Sequence, residues 1–162
     1  MCADEVVTMS HMFYCKNSNK KEIPEINLDS WKTPNLTNLE YMFFNLRGLR
    51  NISWENLDTS NVTTMNHMLN CVGLYNIDFL ADLNTDKLTD IGWFINPQNG
   101  STLNNQASNP NMLDLVSSWS SLDSLTVSTE AFRDCWIRNK TFTTTNGSTY
   151  KVEGNGSITK IS

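Results

Sequence analysis

Apolar residues return to the same slots along this 162-residue chain every 26 positions, an interval marked by Asn35-Leu36-Thr37, Asn61-Val62-Thr63 and Lys87-Leu88-Thr89. Each unit opens with a run reading apolar-x-x-apolar-x-apolar: Ile23/Ile26/Leu28, Leu49/Ile52/Trp54, Leu74/Ile77/Phe79 and Leu122/Leu125/Val127. Alternation at the last two slots predicts a short half-buried strand. A return segment follows, with Trp31-Lys32-Thr33, Leu57-Asp58-Thr59 and Leu83-Asn84-Thr85 in matching places. The third part carries Met9/Met12/Phe13, Leu39/Met42/Phe43, Met65/Met68/Leu69 and Ile91/Phe94/Ile95. Spacings of three and four put those residues on one face of a short helix. Thr37, Thr63 and Thr89 stand just before it, where a hydroxyl caps free N–H groups. A fixed period of this length predicts an α/β repeat, a solenoid with one strand and one helix per turn.

The pattern blurs after residue 96. Leu74 and Leu122 are 48 residues apart, about two periods, so a degenerate turn is expected near 96–111, with its strand near Ser101–Asn105. Asn96-Pro97-Gln98-Asn99-Gly100 and Ser108-Asn109-Pro110 read as turns. Met112, Leu115, Val116 and Trp119 make a fifth helix face; Ser128 is placed to cap a sixth carrying Ala131, Phe132 and Cys135. The repeat region thus runs over residues 1–139 in about six turns. From 140 to 162 the reading changes to hairpins. Thr141–Thr145 and Ser148–Val152 flank Asn146-Gly147, which predicts a two-residue primed turn, and Gly154-Asn155-Gly156 precedes a further strand, Ser157–Ile161. Raw sheet edges invite pairing with other chains, so this segment is expected to cap the array or to dock a partner.

One unit is not stable alone. Its four to six large apolar side chains contribute roughly 1.5–3 kcal/mol each on burial. Ordering about 25 residues costs roughly 1–2 kcal/mol per residue for the backbone, so only stacking on neighbours balances the account.

A net charge of −5 with 12 Lys+Arg leaves no basic stripe, which excludes nucleic acid as the main ligand. No apolar run approaches the 18 or so residues of a membrane span. Met1–Val6 has neither a basic region nor an apolar stretch, unlike a signal peptide, and the first unit begins at its helix. A piece of a longer exported protein is one expectation; assembly without export is the other.

Candidate chemistry adds little. His11 and His67 hold equivalent slots, with Tyr41 between them, but no nucleophile and acid converge on either. The slotting of Met9, Met12, Met42, Met65 and Met68 reads as core filling. Cys15, Cys71 and Cys135 follow the helix face as small buried residues, and units two apart lie too far for a disulfide. No C-x-x-C occurs. Glu25, Asp29, Glu55, Asp58, Asp78 and Asp82 are scattered at or just after strands, in slots not filled consistently and without a calcium-loop pattern. No catalytic, metal or cofactor residue is assigned, and a non-enzyme is expected. The candidate binding face is the polar row between buried strand residues: Glu25 and Asn27, Asn51 and Ser53, Asn76 and Asp78, Ser124 and Thr126.

The block Asp58-Thr59-Ser60-Asn61-Val62-Thr63-Thr64-Met65-Asn66-His67-Met68-Leu69-Asn70-Cys71 closely resembles the repeat of BspA-like bacterial surface proteins. Met12-Phe13-Tyr14-Cys15 and Met42-Phe43-Phe44-Asn45 match its helix part, and Ala131-Phe132-Arg133-Asp134-Cys135 resembles its alanine-phenylalanine variant. The resemblance is specific over about residues 6–95, weaker over 110–136 and absent in the hairpins. It implies a leucine-rich-repeat solenoid, displayed outside the cell and used in adhesion and protein–protein contact. The expected partner is a host surface protein, or carbohydrate. The alternative is a structural component of a larger assembly, such as a bacteriophage virion or tail fibre, with other chains of the assembly as partners.

Overall fold

The computed structural model describes residues 5–16, 23–97 and 111–162. The degenerate turn expected near 96–111, its strand at Ser101–Asn105 and the Ser108–Pro110 turn therefore lie largely outside the described residues. The expected leucine-rich-repeat solenoid of strand-plus-helix turns is not formed. The described residues build small sheets, a short 3-10 helix over Asp78–Asp82 and a lone α-helix, α1, over Met112–Ser117.

The correction has one local cause. Of the six segments read as helices, the one starting at Met112 does form α1, and the other five are interrupted by a non-glycine residue in the left-handed region: His11 (φ 59°), Tyr41 (φ 55°), His67 (φ 55°), Trp93 (φ 55°) and Glu130 (φ 51°). A helix does not pass through such a residue, because the left-handed region costs an L-residue roughly 1–2 kcal/mol and reverses the chain. Two consecutive turns form instead; Met42 N–H donates to the Leu39 carbonyl and Phe44 N–H to that of Tyr41. The apolar spacing of three and four survives, since turns also return every third or fourth side chain inward. Leu39, Met42, Phe43, Met65, Met68, Ile91 and Phe94 are fully buried, whereas Met12, expected to be inward, is 43% exposed.

Successive segments hydrogen-bond in parallel. Leu39, Tyr41, Phe43 and Asn45 donate to the carbonyls of Thr64, Asn66, Met68 and Asn70 at 2.9–3.1 Å. Met9, His11, Phe13 and Cys15 donate likewise to Asn38, Glu40, Met42 and Phe44; Met65, His67, Leu69 and Cys71 to Asp90, Gly92, Phe94 and Asn96. Isolated parallel bridges run Thr8, Asn38, Thr64, Asp90, Val127. Strands β3 (Leu69–Asn70) and β4 (Ile95–Asn96) are part of this ladder.

A second parallel pair joins β1 (Glu25–Asn27) to β2 (Asn51–Ser53), with Ile26 opposite Ile52. Both were expected as strands. The third expected strand, at Leu74–Phe79, is replaced by the 3-10 helix. Leu122–Val127 does not rejoin that row either. Thr126 N–H donates to the Thr89 carbonyl and Val127 bridges Asp90, so this stretch continues the 85–90 row. Reading Leu122 in register with Leu74 misplaced it, because α1 fills the space between.

Between the two rows a buried threonine column ties neighbours together. The Thr59 hydroxyl accepts from Asn84 N–H at 2.8 Å and donates to the Asn84 carbonyl at 3.4 Å; Thr33 does the same to Asp58 at 3.2 and 3.5 Å. Trp54 and Trp119 direct their indole N–H groups to the carbonyls of Phe79 and Leu80.

The C-terminal segment forms an antiparallel sheet, β5 (Thr141–Thr143), β6 (Thr149–Val152) and β7 (Ile158–Lys160), in that order. The first connection is a three-residue loop, not the expected two-residue primed turn. Thr144 N–H donates to the Ser148 carbonyl, and Gly147, at φ 90°, donates to that of Thr144. A positive φ there is what glycine supplies at low cost. The sheet docks on its own chain through Phe132 N–H to the Gly156 carbonyl and Asn139 N–H to that of Val152. Tyr150 Oη (2.5 Å) and Lys160 Nζ (2.8 Å) both donate to Asp123.

Candidate functional site

Each ladder segment begins with a side chain that folds back on the backbone. Asn38 accepts from the N–H of Glu40, Thr64 from Asn66, Asp90 from Gly92 and Thr8 from Ser10. These local bonds are the ordinary reason such residues start turns. The expected caps, Thr37, Thr63 and Thr89, stand one position earlier. Their hydroxyls instead follow their own N–H groups onto the carbonyls of Val7, Thr37 and Thr63, and Thr126 continues that row onto Thr89. Ser128, expected to cap a sixth helix, instead holds Ile158 of β7.

Three residues after the fold-back lies the left-handed position, and there the chain places rings. His11 stacks on Tyr41 at 4.8 Å between centroids and 20° between planes. Tyr41 stacks on His67 at 4.5 Å and 13°, and His67 on Trp93 at 5.8 Å and 14°. Arg133 closes the column, its guanidinium 4.9 Å from the Trp93 ring centroid and its Nη1 held 2.8 Å from Glu130. Tyr14 and Phe44 stack alongside at 5.3 Å. His11 and Arg133 are exposed, while Tyr41, His67 and Trp93 are half-buried, so the column presents ring edges along the surface. Burial pushes the His67 imidazole below its ordinary pKa, against the pull of Glu40 and Asp90, which keeps that ring uncharged at neutral pH. Burial, helped by Glu40, raises the Tyr41 phenol.

The eight residues of the expected binding face divide. Glu25 and Asn51 are paired across β1 and β2, and so are Asn27 and Ser53. They are already engaged with one another: Asn51 Nδ2 reaches Glu25 at 3.4 Å, while Asn27 Nδ2 (3.0 Å) and Ser53 Oγ (2.5 Å) both donate to Asp29. Those bonds, Ser53 first and then the Glu55 N–H, hold the Asp29 carboxyl below its usual range. Asn76 and Asp78 meet Ser53 in a surface cleft of about 310 Å³ that Glu55 and Asp82 also line. Ser124 and Thr126 are not on this face, since they belong to the threonine row beside Asp86 and Thr89. The misplacement follows from the register of Leu122 described above.

Among the described residues no group of three or more His, Cys, Asp or Glu side chains is placed to hold a metal ion. Cys15 and Cys71 are half-buried and Cys135 is buried. Burial raises the thiol pKa of Cys71 and, further, that of Cys135. No helix among the described residues is long and apolar enough to cross a membrane.

Sequence reasoning set His11, Tyr41 and His67 in one slot but missed Trp93, 26 residues after His67, and missed Arg133, Tyr14 and Phe44. The period itself pointed to Trp93. Arg133 could not be found that way, because 37 residues separate Thr89 from Thr126 where 26 separate the earlier threonines.

A repeating parallel ladder with a surface column of stacked rings defines the class of protein at hand. The chain belongs to the family described as Mycoplasma protein of unknown function, DUF285, which it matches over residues 7–143. The match ends at the last residue of β5, leaving β6 and β7 beyond it. No curated protein and no solved structure matches the chain.

Proposed function

We propose that the chain is a non-enzymatic interaction and adhesion module of bacterial cell-surface type, which holds its partner across the stacked-ring column. The observation that carries this reading is the column itself. Four segments each hold an aromatic residue in a left-handed conformation that costs roughly 1–2 kcal/mol apiece. Strain of this kind collects at functional sites. The side chains so held form a partly exposed aromatic row, and aromatic groups with one wet edge are the anchors of protein interfaces. The resemblance to BspA-like surface repeats adds the cell-surface context, with a host surface protein or carbohydrate as the partner class. Docking of β5–β7 on its own chain suits a cap on the array and speaks against the virion-component reading, in which those strands would pack on other chains.

Beads coated with the purified chain, applied to cultured epithelial cells under flow, test the reading. Retention is expected to fall at least tenfold for Tyr14→Ser and for Trp93→Ser, each checked for fold by circular dichroism. An Asn27→Ala/Asn51→Ala variant should hold as well as wild type. Wild-type beads retained no better than albumin-coated ones would overturn the proposal, and loss confined to the Asn27/Asn51 variant would move the site to the β1–β2 face.

A further inference from the structure

One ring of the column has its proton placed by other side chains. Asn66 Nδ2 donates to both carboxylate oxygens of Asp90, at 2.9 and 3.0 Å. A carboxylate only accepts, so the amide nitrogen of Asn66 faces Asp90 and the amide oxygen faces the other way, where it meets His67 Nδ1. Nδ1 therefore carries the proton of the neutral ring, and the second proton of an imidazolium goes to Nε2. Room for this relay is made at Gly92, where a Cβ would lie 2.9 Å from Asn66 Nδ2 and 3.3 Å from Asp90 Oδ1. The equivalent positions of the two preceding segments carry the side chains of Glu40 and Asn66. Both faces of the His67 ring are covered, by Tyr41 at 4.5 Å and by Trp93 at 5.8 Å between centroids. Among the described residues the charged groups that face it are Glu40, from the segment before, and Asp90, from the segment after. Phe44, at 6.1 Å, adds a ring without charge. Beyond Trp93 stands Arg133 with Glu130, and beyond Tyr41 stands His11, whose Nδ1 meets Ser10 Oγ at 2.7 Å.

We infer that His67 makes the ring column release its partner in acid, a role that rests on the adhesion reading: the imidazole, with its proton held toward Asn66, gains a second one at Nε2 and becomes a cation amid the surface that the partner covers. A partner lying across the ring edges removes water from His67, and removing water disfavours the charged ring. By linkage, affinity is full while the ring is uncharged and declines as the pH falls through its titration. Burial in the column holds that titration below the ordinary histidine range, with Glu40 and Asp90 pulling the other way. Binding is therefore full at neutral pH and is lost in acid medium. The stack itself survives, because Tyr41 and Trp93 can hold a cation over their faces, as Trp93 already does with Arg133.

The full chain is followed in two ways across the same pH range, from about pH 8 to about pH 4.5. His11 and His67 are its only histidines, so their ring C–H signals, assigned with His11→Gln, report the His67 titration by NMR. Beads coated with the chain are held on cultured epithelial cells under flow. Wild-type retention is expected to fall about fivefold or more between about pH 7.5 and about pH 5, with a midpoint that tracks the His67 signal. Asp90→Asn removes a charge that favours the imidazolium, and an asparagine already makes the same fold-back at Asn38, so both midpoints should move together to lower pH. His67→Phe keeps a ring in the slot and should flatten the ratio between the two pH values, whatever its absolute retention. A flat wild-type profile, a rise in acid, or a fall that persists in His67→Phe would overturn the inference and leave the adhesion reading standing. Retention that never exceeds that of albumin-coated beads would overturn both.

Discussion

Tyr41 permits a test in which two small substitutions must rank in an unusual order. Tyr41→Ala and Tyr41→Gly both delete the ring and its stacks on His11 and His67, centred 4.8 and 4.5 Å away. Such contacts are each worth about 0.5–1.5 kcal/mol beyond burial, so either variant should lose roughly 1–3 kcal/mol from the stacks. The two differ only in the backbone. Alanine keeps the penalty of φ 55°, roughly 1–2 kcal/mol, whereas glycine escapes it. Glycine in turn costs about 0.4–1 kcal/mol through the freedom it gains unfolded. The balance makes Tyr41→Gly more stable than Tyr41→Ala by about 1 kcal/mol. A helix over Leu39–Phe43 would reverse the order, since glycine in a helix interior is about 1 kcal/mol worse than alanine. Urea unfolding followed by circular dichroism separates the cases; at a slope of roughly 1–3 kcal/mol/M, the glycine midpoint should lie some tenths of a molar higher. An alanine variant at least as stable as the glycine one would refute the turn geometry and, with it, the strain argument for function.

The buried threonine column predicts that Thr59→Val costs about 1–3 kcal/mol, through an Asn84 N–H left without its 2.8 Å acceptor, and that Thr33→Val costs less because its bonds are longer. Thermal melts should show both losses in that order. Ile52→Asp and Met42→Asp should abolish the cooperative transition by burying an unpaired charge, while Asn51→Asp, exposed opposite Glu25, should cost under about 1 kcal/mol. Asp123 should govern the acid limb of stability. Lys160 and then Tyr150 lower its pKa, so its contribution is full above the ordinary carboxylate range and is lost as the pH falls through the folded value. Asp123→Asn should accordingly lower the melting temperature at pH 7 and flatten the decline below pH 4. Tyr150, pushed up to about 12 by burial and then by Asp123, should stabilise fully below pH 10 and lose that contribution as the pH rises through 12.

The period, the buried slots and the strand-forming C-terminus were legible because they are properties of side-chain polarity. Leu39, Met42, Met65 and Met68 were placed inward from spacing alone, and all are fully buried. The local backbone was not legible, because three-and-four spacing serves a helix and a pair of tight turns equally. What distinguishes them is a left-handed residue, and tyrosine and tryptophan at that slot gave no warning where glycine or asparagine would have. The aromatic site was half visible for the same reason: His11, Tyr41 and His67 shared a slot, but their stacking depends on a backbone the spacing does not specify. The misplacement of Ser124 and Thr126 has a different origin. Register was carried from Leu74 to Leu122 across a stretch in which α1 interrupts the period, and only the hydrogen bond from Thr126 to Thr89 restores the alignment.

The shared direction of the ladder bonds also bears on how such a protein changes length. Thr37 to Thr63 and Thr63 to Thr89 are equal steps of 26 residues, and their ladder segments, 39–45 and 65–71, receive and give the same set of bonds. A tandem duplication of residues 37–62 would therefore insert a unit whose ladder donors and acceptors find partners on both sides. The terminal sheet has no such freedom, because Gly156 and Ser157 fit the last segment alone. Copy number can drift within the ladder while this exchange of bonds stays fixed, so variants should keep the contact of Glu130 and Phe132 with Ser157 and Gly156 and differ in the number of units before it.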